Sequence, residues 1–239
     1  MMKEIVIKGR KCIVNSTVND WEFMDDFLLS LCKVDRGYYM YSIKDGNGKT
    51  DRKYPERVFA YEFYHQYRRV MEKKKYYCGL FLNGEQRKDH QVADYIGDFA
   101  PDLVLHSRLD NKTTDGQKWL CEIKMKDSVN PLSDIEKFRK MKTLRFDNYI
   151  FLYAGSCLAN LLLKIDYKLN KGIINKKSDG SCICICSYYG RAYKLHIECH
   201  RLSTLIDMVD RMNMKSLRKH MNLIKQSVSQ VRTETIYTE

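Results

Sequence analysis

The chain has 239 residues, a formal net charge of +12 and an apolar content of 44%. That length suits one large domain or a core with appendages, and the apolar share, with little Pro or Gly, excludes a disordered chain. No run nears the ~20 apolar residues of a membrane helix, and the N-terminal MMKEIVIKGRK carries charges where a signal peptide is apolar, so a cytoplasmic protein without membrane association is expected.

Residues 1–50 read as an N-terminal elaboration. EIVIKGRKCIVN predicts one or two strands, and DWEFMDDFLLSLCK a helix started by Asn19 or Asp20. YYMYSIKDGNGKT predicts a strand ending in a turn, because Asp45, Gly46, Asn47 and Gly48 favour φ > 0.

Residues 52–155 carry the clearest pattern. YPERVFAYEFYHQYRRVMEKKK predicts a helix with Pro55 in its first turn. Val58, Phe59, Phe63, Tyr67 and Val70 recur at helical spacing as a buried stripe. Glu62 lies on or beside that stripe and points to the core or a cleft. YCGLFL predicts a strand stopped by Asn83 and Gly84, and PDLVLHS a second one opened by Pro101. On the latter, Asp102, Val104 and His106 share one face and Leu103 and Leu105 the other. WLCEIKMK predicts a third strand, with Glu122, Lys124 and Lys126 on one face and Cys121, Ile123 and Met125 on the other. PLSDIEKFRKMKTL follows as a helix with Ser133 as N-cap, Glu136 completing a capping box, and Ile135, Phe138 and Met141 buried. NYIFLYAG is a further strand.

Residues 156–239 read as C-terminal additions: a short apolar helix, two strands about a turn near Gly190, and a long mixed-charge helix from Leu202 to about Val231. The nine cysteines include no CxxC pair. Cys182, Cys184 and Cys186 fall on one face of a strand, whereas zinc usually draws its ligands from tight turns. Buried reduced thiols are expected there rather than a metal site. The order helix, strand, strand, strand, helix, strand predicts a mixed sheet flanked by helices, of α/β (α+β) class.

The basic excess gathers in RRVMEKKK, KFRKMKTLR and KLNKGIINKK. It fits a polyanionic partner, though solubilising helix lysines would look the same. A sharper signal is the charged face of the third strand. Asp102 and Glu122 fall on adjacent strands, Lys124 lies ~6.6 Å along from Glu122, and Glu62 can approach from the covering helix. Clustered carboxylates repel unless something positive compensates them. A hard divalent cation does so, and Mg²⁺ keeps enough water that two or three carboxylates suffice, with the Ile123 carbonyl as an extra ligand.

Pro101–Asp102, then 19 residues, then Glu122–Ile123–Lys124 resembles the PD-(D/E)xK nuclease superfamily over roughly 57–154. The resemblance implies a restriction-endonuclease-like fold and a metal-dependent nuclease, with DNA as the expected nucleic acid and Mn²⁺ able to replace Mg²⁺. It implies that Asp102 and Glu122 hold the metal and that Lys124 positions and activates a water. Glu62 would be the first-helix acid, with Glu56, Glu72 and Glu85 as competitors for that role. Lys126, Lys137, Arg139 and Lys140 would touch the phosphate backbone, or else be a solvated strand end and helix face. His106 reads as a hydrogen-bonded strand-end histidine. Cutting both strands of a duplex would suit a two-fold homodimer. The alternative is a nucleic-acid binding module of the same fold without cleavage.

Overall fold

The structure is a computed structural model, and it describes residues 2–7, 10–44, 46–84, 100–107, 116–126, 128, 132–140, 145–171, 182–190 and 193–212. Its elements in order are β1 (Met2–Ile7), β2 (Arg10–Ser16), α1 (Met24–Lys33), α2 (Arg36–Tyr39), β3 (Tyr41–Lys44), β4 (Thr50–Lys53) and α3 (Glu56–Met71). There follow β5 (Leu80–Gly84), β6 (Leu103–Ser107), β7 (Gln117–Met125), α4 (Ser133–Lys140), β8 (Asn148–Ala154), α5 (Leu158–Asn170), β9 (Cys182–Tyr189), β10 (Leu195–Arg201) and α6 (Leu202–Arg211).

Eight strands form one mixed sheet in the order β1-β2-β10-β9-β8-β7-β6-β5. Three of them, β5, β6 and β7, form an antiparallel meander. β8 joins β7 in parallel through α4, and β9 joins β8 in parallel through α5. The expected mixed α/β sheet flanked by helices is therefore present. The terminal additions are more than appendages. β10 pairs antiparallel with β9, and β2 runs parallel to β10, with Leu195 opposite Cys12. The hairpin β3–β4 stands apart as a two-stranded sheet with its residues exposed.

Period-two alternation explains both faces of the sheet. Trp119, Cys121, Ile123 and Met125 of β7 point to one side, with Ile150 and Leu152 of β8 and Ile183 and Ile185 of β9. There they meet Phe27 and Leu31 of α1 and Phe59, Phe63 and Tyr67 of α3. Trp119 stands edge-on to Tyr67 at 5.3 Å and to Phe27 at 5.6 Å, a geometry that aromatic quadrupoles favour. On the other side Leu120, Phe151, Tyr153, Cys184 and Cys186 meet α4, α5 and α6 through Phe138, Leu161, Ile165, Leu205 and Ile206.

Several expectations are corrected. Helix α1 starts at Met24, because Asp20 accepts from the Arg201 guanidinium at 2.9 Å while Trp21 and Phe23 are buried in the core. Tyr38 and Tyr39, the first two residues of the predicted strand YYMYSIK, instead close the short helix α2, and the strand begins at Tyr41. Val58 is 47% exposed, and the buried stripe of α3 is Phe59, Phe63, Tyr67, Val70 and Met71. Helix α6 ends at Arg211, followed by Met212 in extended backbone. The continuation to Val231 lies outside the described residues, as do Glu85, Met141 and the side chains of Glu136, Arg139 and Lys140. No helix among the described residues is long and apolar enough to cross a membrane.

Cys182, Cys184 and Cys186 are buried and free of disulfides. The hydrogen bond with Cys182, and then burial, push the Cys184 thiol up, and burial does the same for Cys186. The Cys184 and Cys186 thiols stay protonated near neutral pH and are poor nucleophiles and poor metal ligands. Maleimide added to the native protein should label exposed Cys78 first and reach Cys182, Cys184 and Cys186 only after unfolding. Peptide mapping that finds Cys184 labelled at the rate of Cys78 would contradict this packing.

Candidate active site

The geometry of the charged strip begins with strand register. Leu103 of β6 lies opposite Cys121 of β7, and one further step along the pair sets Asp102 beside Glu122. The Asp102 carboxylate accepts from the Ile123 backbone N–H at 2.6 Å. That bond fixes the acid at the mouth of β6, where the preceding Pro101 cannot donate to a ladder. Glu122 follows Cys121 on the other face of β7 and is 4% exposed. Burial first, then the Asp102 and Glu122 carboxylates, push the neighbouring Cys121 thiol up, while Lys124 pulls it down. The acids thus place a negative field at this point of the sheet.

Lys124 supplies the opposite charge. Its ammonium donates to Glu56 Oε1 at 3.2 Å and stands 4.0 Å from Glu122 Oε2. The Lys124 and Glu122 side chains are 19% and 5% exposed, so that pair is shielded from bulk water more than surface ion pairs are, whereas Glu56, at 39%, lies at the rim. Helix α3 brings Glu56 there because its apolar stripe packs on the opposite sheet face. Its first turn therefore passes the carboxyl end of β7. Tyr54, two residues earlier, sits beneath the Lys126 ammonium at 5.6 Å from its ring centroid.

The structure thus sets Asp102 beside Glu122 by strand register, bonds it to the Ile123 N–H, and holds Lys124 4.0 Å from Glu122. The helix acid bonded to Lys124 is Glu56. Glu62 accepts from Gln66, one turn along the same helix, at 2.6 Å. Position 56 continues the buried series 59, 63, 67 and 70 by one step of three, and this is the signal that favours it over Glu62. His106 is a buried histidine bridging Asn83 and the Ser107 carbonyl, both at 2.7 Å. Asn83 donates to Nε2, so Nδ1 carries the proton. Lys126 and Lys137 are exposed.

Among the described residues no group of three His, Cys, Asp or Glu side chains stands ready to hold a metal ion. The residues that could hold one are Asp102 and Glu122 with the Ile123 carbonyl. This set matches the oxygen preference of Mg²⁺ and the few protein ligands that ion needs. Comparison of the chain with protein-family models, curated proteins and solved structures gave no match.

Removing one partner of a shielded ion pair leaves the other charge uncompensated. In urea denaturation, Lys124→Met should therefore destabilise the protein, and Glu122→Gln should recover part of the loss in the double variant. The coupling energy should be about 1–3 kcal/mol. Additive effects would show that Glu122 and Lys124 do not interact.

Proposed function

We propose that this protein is a metal-dependent nuclease that hydrolyses phosphodiester bonds in nucleic acid, DNA foremost, on a restriction-endonuclease-like core. The observation that carries the reading is the convergence of Asp102, Glu122 and Lys124 on one end of two paired strands, with Lys124 bonded to a helix acid. The element order α3-β5-β6-β7-α4-β8, an antiparallel meander followed by a parallel strand, supports it. So does the net charge of +12.

Asp102, Glu122 and the Ile123 carbonyl would hold Mg²⁺ or Mn²⁺, which supplies Lewis acidity and a more acidic water. The protein's own groups do the rest. The Ile123 N–H holds the Asp102 carboxylate in place before any ligand arrives, so no reorganisation is needed at that acid. Lys124, ion-paired to Glu56, enters as an ammonium. It offsets the charge that accumulates on the attacked phosphate and orients the attacking water. Glu56 holds that ammonium in position. The lack of a third ready carboxylate among the described residues favours, as a second reading, a binding module of the same fold that does not cleave.

Plasmid and linear DNA, with RNA in parallel, should be cut in Mg²⁺ or Mn²⁺ and spared in EDTA. Asp102→Asn, Glu122→Gln and Lys124→Ala should each lower the rate about 10²–10⁴-fold. Equal rates for wild type and Lys124→Ala would end the catalytic reading. Salt-sensitive DNA binding with no turnover in any metal would leave the binding module. The two helix acids separate cleanly: Glu56→Gln should slow cleavage at least about tenfold by loosening Lys124, and Glu62→Gln should leave it unchanged. The reverse pattern would restore Glu62 to the site.

A further inference from the structure

A cavity of about 220 Å³ opens at the carboxyl end of the parallel strands β7, β8 and β9, lined by Tyr54 and Lys126, each two residues along the chain from a member of the Glu56–Lys124 pair. Open α/β sheets characteristically bind ligands at that end. The cationic lining residues are Arg36, Arg52 and Lys126, and the half-buried rings of Tyr54 and Tyr188 form part of the wall. No Asp, Glu or His lines it among the described residues. Such a lining suits an anion that carries a flat ring.

The walls are held by specific contacts. Gly155, at φ +73°, lets the chain turn off β8 where any Cβ would stand 3.2 Å from the Tyr54 ring. Tyr188 is backed by His196, stacked at 5.2 Å and 18°. Burial pushes the Tyr188 hydroxyl up, so the ring stays neutral beside an anion. The exposed hairpin β3–β4 buries little of itself, yet it carries Arg52 to the rim. Lys126 stands just past the end of β7, two residues beyond Lys124. A chain whose phosphate meets Lys124 therefore reaches this cavity with its neighbouring unit.

The volume decides what enters. Small-molecule pockets run to ~300–1,000 Å³, and this smaller space, about 220 Å³, is too small for a base pair. We propose that the cavity takes a single unpaired nucleotide of a nucleic-acid strand. Its phosphate lies among Arg36, Arg52 and Lys126 and its base against the tyrosine rings, adjoining the nucleotide at Lys124. The proposal rests on nucleic acid being the substrate of that site, and it adds that the strand is single or frayed there. Base stacking on aromatic rings with a basic backbone track is the general mode of single-strand binding.

The test measures binding without turnover. Fluorescence anisotropy in EDTA compares a labelled oligothymidylate with a duplex of the same length, using wild type and Arg52→Glu. Arg52 is exposed on the hairpin, so the substitution leaves the core untouched. Wild type should prefer the single strand. Arg52→Glu should weaken single-strand binding about tenfold or more and lower its salt slope by about 1, with duplex binding within about twofold. Thymidine monophosphate should displace the single strand better than inorganic phosphate does. Equal losses for both oligonucleotides, or no loss, would overturn the proposal. Cleavage in Mg²⁺ is read separately. Turnover by wild type with single-strand binding indifferent to Arg52→Glu sinks the cavity and keeps the nuclease. Loss of single-strand binding in a protein that never cleaves keeps the cavity and sinks the nuclease.

Discussion

The register between β6 and β7 decides which side chains can meet. With Leu103 opposite Cys121, Asp102 comes to the Ile123 N–H and next to Glu122. A slip of one residue would turn Asp102 toward the face where Trp119, Cys121 and Phe63 pack. Burying a carboxylate there would cost several kcal/mol, so the apolar alternation of both strands enforces the arrangement of the acids. The irregularity in the pair falls at the far end, between Leu105 and His106, where His106 faces Gln117 instead of Lys118. The bulge absorbs an extra residue without disturbing the end that carries Asp102.

Charge compensation is the second constraint, and it joins the two layers of the molecule. Glu122 is buried on a sheet face otherwise filled by Leu120, Phe151 and Tyr153. An acid is tolerated there because Lys124 stands beside it and is in turn held by Glu56 from the helix on the opposite face. The strip is therefore a place where the fold accepts electrostatic cost. Stability alone would be served as well or better by apolar residues of similar volume.

Much of this was legible locally. Short apolar runs mark β5, β6 and β8, alternation of apolar with charged residues marks β7, the apolar stripe marks α3, and the spacing-two cysteines of β9 sit buried as their pattern requires. What was not legible depends on partners far along the chain. Asp20 looks like a helix cap until Arg201 takes its carboxylate. Val58 fits the helical stripe by composition, yet its angle on α3 faces water. The helix acid was ambiguous because Glu56 and Glu62 both flank the stripe, and only the approach of the first turn to β7 separates them. The parallel pairing of β2 with β10 joins segments some 180 residues apart and leaves no trace in either segment. The cavity, too, gathers residues from α2, β4, β9 and the ends of β7 and β8, none of which forms a motif alone.

That long-range pairing also governs how the molecule behaves at its margin. β2 occupies one side of β10, and β1 closes β2 in turn. A chain shortened by its first sixteen residues would keep every group of the charged strip but present β10 with an open row of amides and carbonyls. Such an edge recruits strands from other molecules. The opening hairpin is thus the sheet's selvedge: it moves the open margin from β10 to β1, a six-residue strand that carries Lys3 and Glu4, charges of the kind that discourage strand addition.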